Sequence, residues 1–321
     1  MMATLLTLEA LEADKYFVER ELAQADSDPW GTARILWHNR LVAIQRQIAE
    51  VGTKRSNYAS VALVFDGNPV IGTSNIRVDF STDALMSYQK LVSARLAEKE
   101  RDAAGKDASL PNRWRLPGAR NTILFIRGLV RGSMGFILEE LPEQAEFLPT
   151  RLKDAVESTT ELLGKLSKAS DDEFQQTVSE TEPRVVRAIQ KFTEILFEAG
   201  ASTRISGDEQ RLSLSIGDVD RLSKRLKEVV ISEEMETIDG VLQGLLPEKL
   251  EFEFKKSGEN GVTLRGDVAD DLARKYSLDP AFVENLLHKP GRARIKVIRT
   301  IRNSTMVKEL RIMESLEPRP S

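Results

Sequence analysis

Hydrophobic residues in the first 51 positions follow two helical patterns with the spacing of a coiled coil. Steps of three and four residues alternate, which places one narrow apolar seam along each helix. The segment DSDPWG separates the helices, because Asp28 can cap the second helix and Pro29 suits its first turn. We therefore predict a coiled-coil-like helical hairpin over residues 1–52. Its seam comprises Leu8, Leu11, Val18, Leu22, Trp37, Leu41, Ile44 and Ile48.

The sequence leaves two interpretations of this seam open. The seam can close on itself or on the body of the protein, since two short helices gain little stability alone. It can also act as an oligomerisation arm that packs on another chain. The second interpretation predicts a homo-oligomer or a complex with a partner protein.

From residue 53 to residue 235 the pattern alternates between paired strands and amphipathic helices. Adjacent pairs of strands favour antiparallel hairpins over a doubly wound sheet, so we predict a mixed α+β domain. Within it, Gly128, Gly132 and Gly135 punctuate the stretch RGLVRGSMGFILEEL. A phosphate-binding loop needs such glycines between a strand and a helix, whereas the residues after Gly135 continue as an apolar strand. This segment therefore predicts a β-hairpin.

Residues 236–317 give three strands, a helical segment that Asp279 and Pro280 begin, and two further strands. The order β-β-β-α-β-β resembles the OB-fold, a five-stranded Greek-key barrel with a helix after the third strand. The resemblance is one of topology and rests on no family motif. An SH3-like barrel is the alternative. The predicted fold class is thus α+β and multidomain: a helical hairpin, a central α+β domain and a small β-barrel.

Composition narrows the chemistry that these domains can carry. The chain has 321 residues, no cysteine and two histidines, which excludes disulfides, thiolate catalysis, zinc fingers and Cys-ligated clusters. We predict no cofactor and no metal site. The N-terminus lacks the pattern of a secretory signal, and no stretch approaches the roughly 18 apolar residues of a membrane span. These features predict a cytoplasmic protein without membrane contact.

The net charge is −4, so binding to nucleic acid needs a local basic surface. Residues 289–312 hold eight Lys/Arg residues and one acid. Strand alternation places Arg292, Arg294 and Lys296 on one exposed face. Arg299 falls out of step with this alternation, which predicts a β-bulge near Ile298. The candidate residues for nucleic acid or another anionic partner are Arg292, Arg294, Lys296, Arg299, Arg302, Lys308 and Arg311. The alternative is a solvated strand that nearby acids balance.

The surface that OB-folds commonly use for binding is acidic in this chain. Phe252 and Phe254 are expected to face inward, which leaves Glu251, Glu253 and Lys255 outside on the second strand. Carboxylates there repel phosphate. The acids at 233 and 234 are interpreted as parts of a solvated turn or a helix cap.

A catalytic pattern gives the enzyme alternative. Asp239 followed by Glu253-Phe254-Lys255 resembles the D…ExK arrangement of PD-(D/E)xK nucleases, in which two acids hold magnesium and a lysine positions water or phosphate. The pattern is short, is frequent by chance and lacks the helix–sheet context of that family.

The sequence therefore supports three hypotheses. The first is a non-enzymatic cytosolic binding and assembly protein with a basic barrel surface and self-associating N-terminal helices. The second is a metal-dependent phosphoryl-transfer enzyme that uses Asp239, Glu253 and Lys255. The third is an accessory component of a multi-gene bacterial system such as phage defence, for which no particular residue argues.

Overall fold

The computed structural model describes residues 15, 18–19, 22–23, 32–51, 56–72, 75–106, 123–130, 134–141, 148–246, 250–258 and 261–318. Over these residues the protein is a mixed α+β structure with eight helices and a closed five-stranded barrel in its C-terminal region. The helices are α1 Thr32–Val51, α2 Val78–Lys106, α3 Arg151–Lys168, α4 Asp171–Glu180, α5 Pro183–Ala199, α6 Ile216–Lys227, α7 Asp270–Leu278 and α8 Pro280–Leu286. The strands are β1 Ser60–Gly67, β2 Val70–Ile71, β3 Asn75–Ile76, β4 Leu124–Val130, β5 Gly135–Glu140, β6 Ala201–Ser206, β7 Arg211–Leu214, β8 Val229–Leu246, β9 Glu251–Lys256, β10 Thr263–Val268, β11 Pro290–Arg302 and β12 Thr305–Pro318.

The chain divides into two compact units. The first contains residues 1–97, 117–174 and 184–226, and the second contains residues 98–116, 175–183 and 227–321. Both units are thus discontinuous in sequence. The predicted division at residues 52 and 235 stays a prediction.

A five-stranded antiparallel sheet forms the centre of the first unit, in the order β4-β5-β1-β6-β7. The apolar run from Val61 to Phe65 is buried on both faces, as the middle strand of a covered sheet requires. The hairpin prediction for the glycine-rich segment is confirmed, because β4 and β5 pair antiparallel from Leu124 to Val130. A Cβ on Gly135 would lie 2.8 Å from the Leu63 carbonyl oxygen, so this close strand approach requires glycine. Residues 131–133 lie outside the described residues.

Side-chain caps begin two helices of the first unit. Thr150 precedes α3, and its hydroxyl accepts a hydrogen bond from the Lys153 N–H. A capping box begins α6: the Ser215 N–H donates to the Asp218 carboxylate, and the Asp218 N–H donates to the Ser215 hydroxyl. These bonds satisfy N–H groups that the first helical turn leaves without partners.

The barrel of the second unit closes in the order β10-β12-β11-β8-β9, and β9 pairs with β10. Only one pair of its strands, β10 and β12, is parallel. Helices α7 and α8 stand between β10 and β11 in the chain, and Asp279 caps α8 as predicted. Phe252 and Phe254 point into the core, where Ile295 and Met313 are also buried. The prediction of a small closed barrel is therefore confirmed.

Candidate functional site

Three long strands extend the barrel wall into a ribbon. We define the ribbon as residues 229–239 of β8, 292–302 of β11 and 305–311 of β12. β8 pairs with β9 from Gly240 onward, and β12 pairs with β10 at Ile312 and Met313, so these segments continue past the closed part of the wall. The turn at the end of the ribbon holds Asn303 and Ser304 with φ of 48° and 64°, as a tight two-residue hairpin turn requires.

The seven predicted cationic residues divide between the two faces of the ribbon. Arg292, Arg294 and Lys296 share the outer face, and Arg302 and Lys308 lie on that face by register. Arg299 and Arg311 lie on the opposite face, which continues the barrel interior. The C-terminal cations therefore do not share one solvent-exposed face of the barrel.

The bulge predicted near Ile298 is wrong in its position. β11 pairs with β8 without a register shift from Pro290 to Arg302. The shifts occur against β12, between Arg294 and Ile295 and between Thr300 and Ile301. The alternation of exposed and buried residues along β11 is interrupted at Ile298 because, from that residue onward, the outer face is buried as well.

Carboxylates already bind the cations of the outer face. Arg292 donates to both Asp239 carboxylate oxygens at 2.8 and 3.2 Å, and this pairing raises the pKa of Arg292. Lys296 lies 2.5 Å from Glu233. Arg294 is exposed and has no ion pair among the residues that the structure describes. The outer face thus has much less free positive charge than the sequence suggests.

The two remaining cations of this face are tied down further along the ribbon. Arg302 is buried, and its guanidinium donates to Glu228 at 3.0 and 3.2 Å. The ammonium of Lys308 donates to the Thr181 carbonyl oxygen at 3.2 Å. Both contacts anchor the side chains structurally and draw them away from solvent.

A cluster of charges fills the opposite face of the ribbon, and we call it the charge cluster: Arg299, Arg311, Glu234, Glu236 and Glu309. Arg299 donates to Glu309 at 2.8 Å, to Glu236 at 2.9 Å and to Glu234 at 2.5 Å. These three carboxylates raise the pKa of Arg299 further above its ordinary value. Arg311 pairs with Glu309 as well. The guanidinium donors are thus consumed by the protein's own acids.

An apolar patch stands beside the charge cluster, and we call it the tip patch: Val230, Ile301 and Met306. Register places Ile301 directly between Val230 and Met306 on the same face. Val230 is 57% exposed and Met306 is 58% exposed, while Ile301 is half-buried. An exposed apolar group with a polar border is characteristic of interaction surfaces.

The structure does not bring the nuclease-like residues together. The Asp239 carbonyl oxygen accepts a hydrogen bond from the Ser257 N–H, so Asp239 lies opposite Ser257. Glu253 stands four residues before Ser257, which places it about 13 Å from Ser257 at the rise of a strand. Asp239 pairs with Arg292, and Glu253 pairs with Arg265 at 2.6 Å. Lys255 stands opposite Val241. Among the described residues, no three His, Asp or Glu side chains are placed to hold a metal ion.

The predicted seam of the N-terminal helices is largely covered within one chain. Val18 and Ile44 are buried, and the other seam residues that the structure describes are half-buried: Leu22, Trp37, Leu41 and Ile48. Leu8 and Leu11 lie outside the described residues. The opposite face of α1 is exposed instead, with Ile35 at 64% and Val42 at 52%, and Leu36 on the flank of the helix is exposed as well.

Sequence reasoning missed the acids that neutralise the barrel. Glu233 and Glu234 lie inside β8, which starts at Val229, and not in a turn or a cap. The signal was the run Val229-Val230-Ile231, whose β-branched residues favour a strand over the end of a helix. Starting the strand there would have set these acids beside β11.

Comparisons with known proteins give no relative for this arrangement. The chain matches no protein-family model, no curated protein and no solved structure. Within the described part of the chain, no helix is long and apolar enough to cross a membrane.

Proposed function

We propose that this chain is a non-enzymatic binding and assembly protein, which engages a partner protein through the barrel ribbon and self-associates through its N-terminal helices. The observation that carries the proposal is the tip patch, in which Val230 and Met306 are more than half exposed beside a fully paired charge cluster. Protein interfaces combine such an apolar centre with a polar rim.

The charge cluster suits the rim of a protein interface because its side chains are already held in place. Arg299 is fixed by three carboxylates, so little side-chain entropy is lost when a partner docks beside it. Phosphate would have to displace those carboxylates first. The pairing therefore favours a protein partner over a nucleic acid at this end of the ribbon.

We further propose that the barrel is of the OB type. Its strands, counted from β8, close in the order 1-2-3-5-4, and helices α7 and α8 follow the third strand. OB-folds bind ligands with the loop between strands one and two and the loop between strands four and five. The latter corresponds here to the turn between Arg302 and Thr305, directly beside the tip patch.

Nucleic-acid binding is the second candidate, and one specific observation favours it. Arg294 is exposed between the ion-paired Arg292 and Lys296 on the outer face of β11. An exposed guanidinium can bind a phosphate oxygen, and the neighbouring pairs can exchange a carboxylate for phosphate. This surface has few free cations, so weak binding with a shallow salt dependence follows from it.

Co-purification with a tagged full-length chain tests the proposal. The variant Val230→Glu with Met306→Glu places charge in the tip patch. The matched control is Val262→Glu with Leu278→Glu, because both residues are exposed and apolar and lie elsewhere in the second unit. The proposal expects a protein that copurifies with the wild type and the control but not with the tip variant. Equal recovery with all three chains contradicts it.

A further inference from the structure

Strand β4 forms one edge of the sheet in the first unit, and its side chains are mostly apolar and exposed. The sheet order β4-β5-β1-β6-β7 leaves β4 with one neighbouring strand, β5, among the described residues. Ile126 is 60% exposed, Leu129 is 56% exposed and Phe125 is 43% exposed. An edge strand of this kind is a template for pairing with another chain, and proteins usually cover or charge such edges.

The register of the sheet shows which way the backbone of β4 points. The Glu140 N–H donates to the Ala59 carbonyl oxygen at 2.9 Å, so every second residue of β5 counted from Glu140 directs its backbone groups toward β1. The register pairs Ile126 and Leu129 with two residues of that set, Leu138 and Phe136. Opposite residues of an antiparallel pair point their N–H and C=O groups either toward each other or away from each other. Ile126 and Leu129 therefore present these groups to the open edge.

The start of β4 shows the same direction directly. Leu124 is two residues before Ile126, and its N–H donates to the Gln89 side chain at 2.8 Å instead of to β5. The outward backbone groups of Ile126 and Leu129 have no such partner among the described residues. The open edge therefore begins after Leu124 and has free backbone groups at two positions.

A β-bulge at Arg127 sets which side chains an added strand would need. Arg127 and Gly128 together oppose one residue of β5, Ile137. A strand added at the open edge would bond at Ile126 and Leu129 and would likewise place one residue between these two positions. That residue points to the face of Arg127, while its two neighbours point to the face of Ile126 and Leu129. The edge thus fits a strand with two apolar residues and, between them, a residue complementary to Arg127.

Charge identifies that residue as acidic. The Arg127 side chain is 61% exposed, and its Nε lies 3.7 Å from the Glu139 carboxylate, beyond hydrogen-bond distance, so its guanidinium donors remain available. The sequence around β4 is strongly basic as well, because residues 108–138 contain five arginines and no Asp or Glu in a protein whose net charge is −4. A second copy of β4 would bring two basic strands side by side, and like charges on neighbouring strands oppose pairing.

We propose that β4 is a docking edge for an extended acidic segment of a partner protein, which pairs with β4 as a sixth strand of the five-stranded sheet. Backbone hydrogen bonds at Ile126 and Leu129 supply affinity, and a carboxylate opposite Arg127 supplies specificity. Nucleic acid would match the arginine, but it has no peptide groups for the open edge and no aliphatic side chains for Ile126 and Leu129. This surface belongs to the first unit and does not depend on the tip patch.

Fluorescence anisotropy of a labelled peptide of alternating Glu and Val residues tests this edge on the full-length chain. The peptide should bind the wild type, whereas a peptide of alternating Lys and Val residues and an oligothymidine should bind at least about tenfold more weakly. Ile126→Pro removes the outward N–H and leaves the bonds to β5, while Ile126→Ala removes the side chain and keeps the N–H. The proline variant should therefore bind the Glu-Val peptide about fivefold or more weakly than the alanine variant.

Charge reversal tests the edge independently of its backbone. Arg127→Glu should weaken binding of the Glu-Val peptide by about fivefold or more and strengthen binding of the Lys-Val peptide. The control Arg184→Glu makes the same change in charge at an exposed residue of α5 and should bind like the wild type. The Glu-Val peptide should also slow hydrogen–deuterium exchange of the Ile126 and Leu129 amides. Far-ultraviolet circular dichroism shows that each variant is folded.

Three results would each overturn this proposal. The first is no binding of the Glu-Val peptide at about 1 mM. The second is equal affinity of the Ile126→Pro and Ile126→Ala variants for that peptide. The third is tighter binding of the oligothymidine than of the peptide, weakened by Arg127→Glu and unchanged by Ile126→Pro, which would assign the edge to nucleic acid.

Discussion

Releasing the cations of the outer face should create the basic surface that the sequence alone suggests. Asp239 and Glu233 hold Arg292 and Lys296 in ion pairs of 2.8 and 2.5 Å. The variant Asp239→Asn with Glu233→Gln keeps the shape of both side chains and removes their charge. Both cations then become available to phosphate beside Arg294, which already lacks an ion pair among the described residues.

The size of the effect follows from counterion release. Each phosphate that a cation neutralises contributes about −0.9 to the slope of log K against log salt concentration. Seven free cations would give a slope of about −6, whereas Arg294 alone gives about −1. Two released cations steepen the slope by about 1.8, which is about a 12-fold larger loss of affinity between 50 and 200 mM salt.

Fluorescence anisotropy of a labelled 20-base-pair duplex over this salt range measures the slope. The matched control is Asp172→Asn with Glu198→Gln, which makes the same change in net charge at exposed acids of the helices α4 and α5. Its slope should equal that of the wild type. A wild-type slope near −6, or an unchanged slope after release of the two cations, would refute the conclusion that the ion pairs neutralise this face.

Three further predictions concern stability, each measured by urea unfolding. Glu157→Ala removes the carboxylate that accepts hydrogen bonds of 2.8–3.2 Å from the backbone N–H groups of residues 208–210. The free energy of unfolding should fall by about 2–4 kcal/mol, and a fall of less than about 0.5 kcal/mol would contradict this. Gly240→Ala places a Cβ 2.3 Å from the Lys255 carbonyl oxygen and should lower the free energy of unfolding by about 3 kcal/mol. Gly244→Ala has open space around its Cβ and should lower it by about 1 kcal/mol or less. Equal losses for the two variants would contradict this. Asp218→Ala should cost about 1 kcal/mol at pH 7. Hydrogen bonds from residue 215 lower the pKa of Asp218, so this difference should vanish as pH falls through that lowered pKa; a difference that persists in acid contradicts it.

Local sequence signals predicted most of the barrel. The closed part of its wall carries alternating apolar residues between turn signals, as in Glu251–Lys256, where Phe252 and Phe254 alternate with polar side chains. The Asp279-Pro280 pair likewise predicted where α8 begins. Such signals depend only on neighbouring residues in the chain, so they can be recognised without knowledge of the tertiary structure.

The candidate site was harder to predict because it depends on strand register. Arg299 and its partner Glu234 are 65 residues apart, and only the pairing of β8 with β11 places them together. The end of α6 at Lys227 and the start of β8 at Val229 decide that register. In the sequence alone, Val219, Leu222, Leu226 and Val229 continue a helical spacing past Lys227. This spacing hides the acids of β8 and leaves the cations of β11 apparently free.

The N-terminal helices show the same limit in a simpler form. The heptad spacing of Trp37 and Ile44 correctly identifies the face of α1 that is covered. It does not reveal whether the cover comes from the same chain. The exposed Ile35 and Val42 do not fit the heptad seam, and only their exposure in the structure marks the second apolar face.

The central claim is that the barrel binds through its apolar tip patch, while its cations serve the fold. Co-purification of three full-length chains tests this claim most directly: the wild type, Val230→Glu with Met306→Glu, and Arg292→Glu with Arg294→Glu and Lys296→Glu. The account predicts that a bound partner protein is lost with the tip variant and retained with the triple arginine–lysine variant. Loss with the triple variant and retention with the tip variant would contradict it.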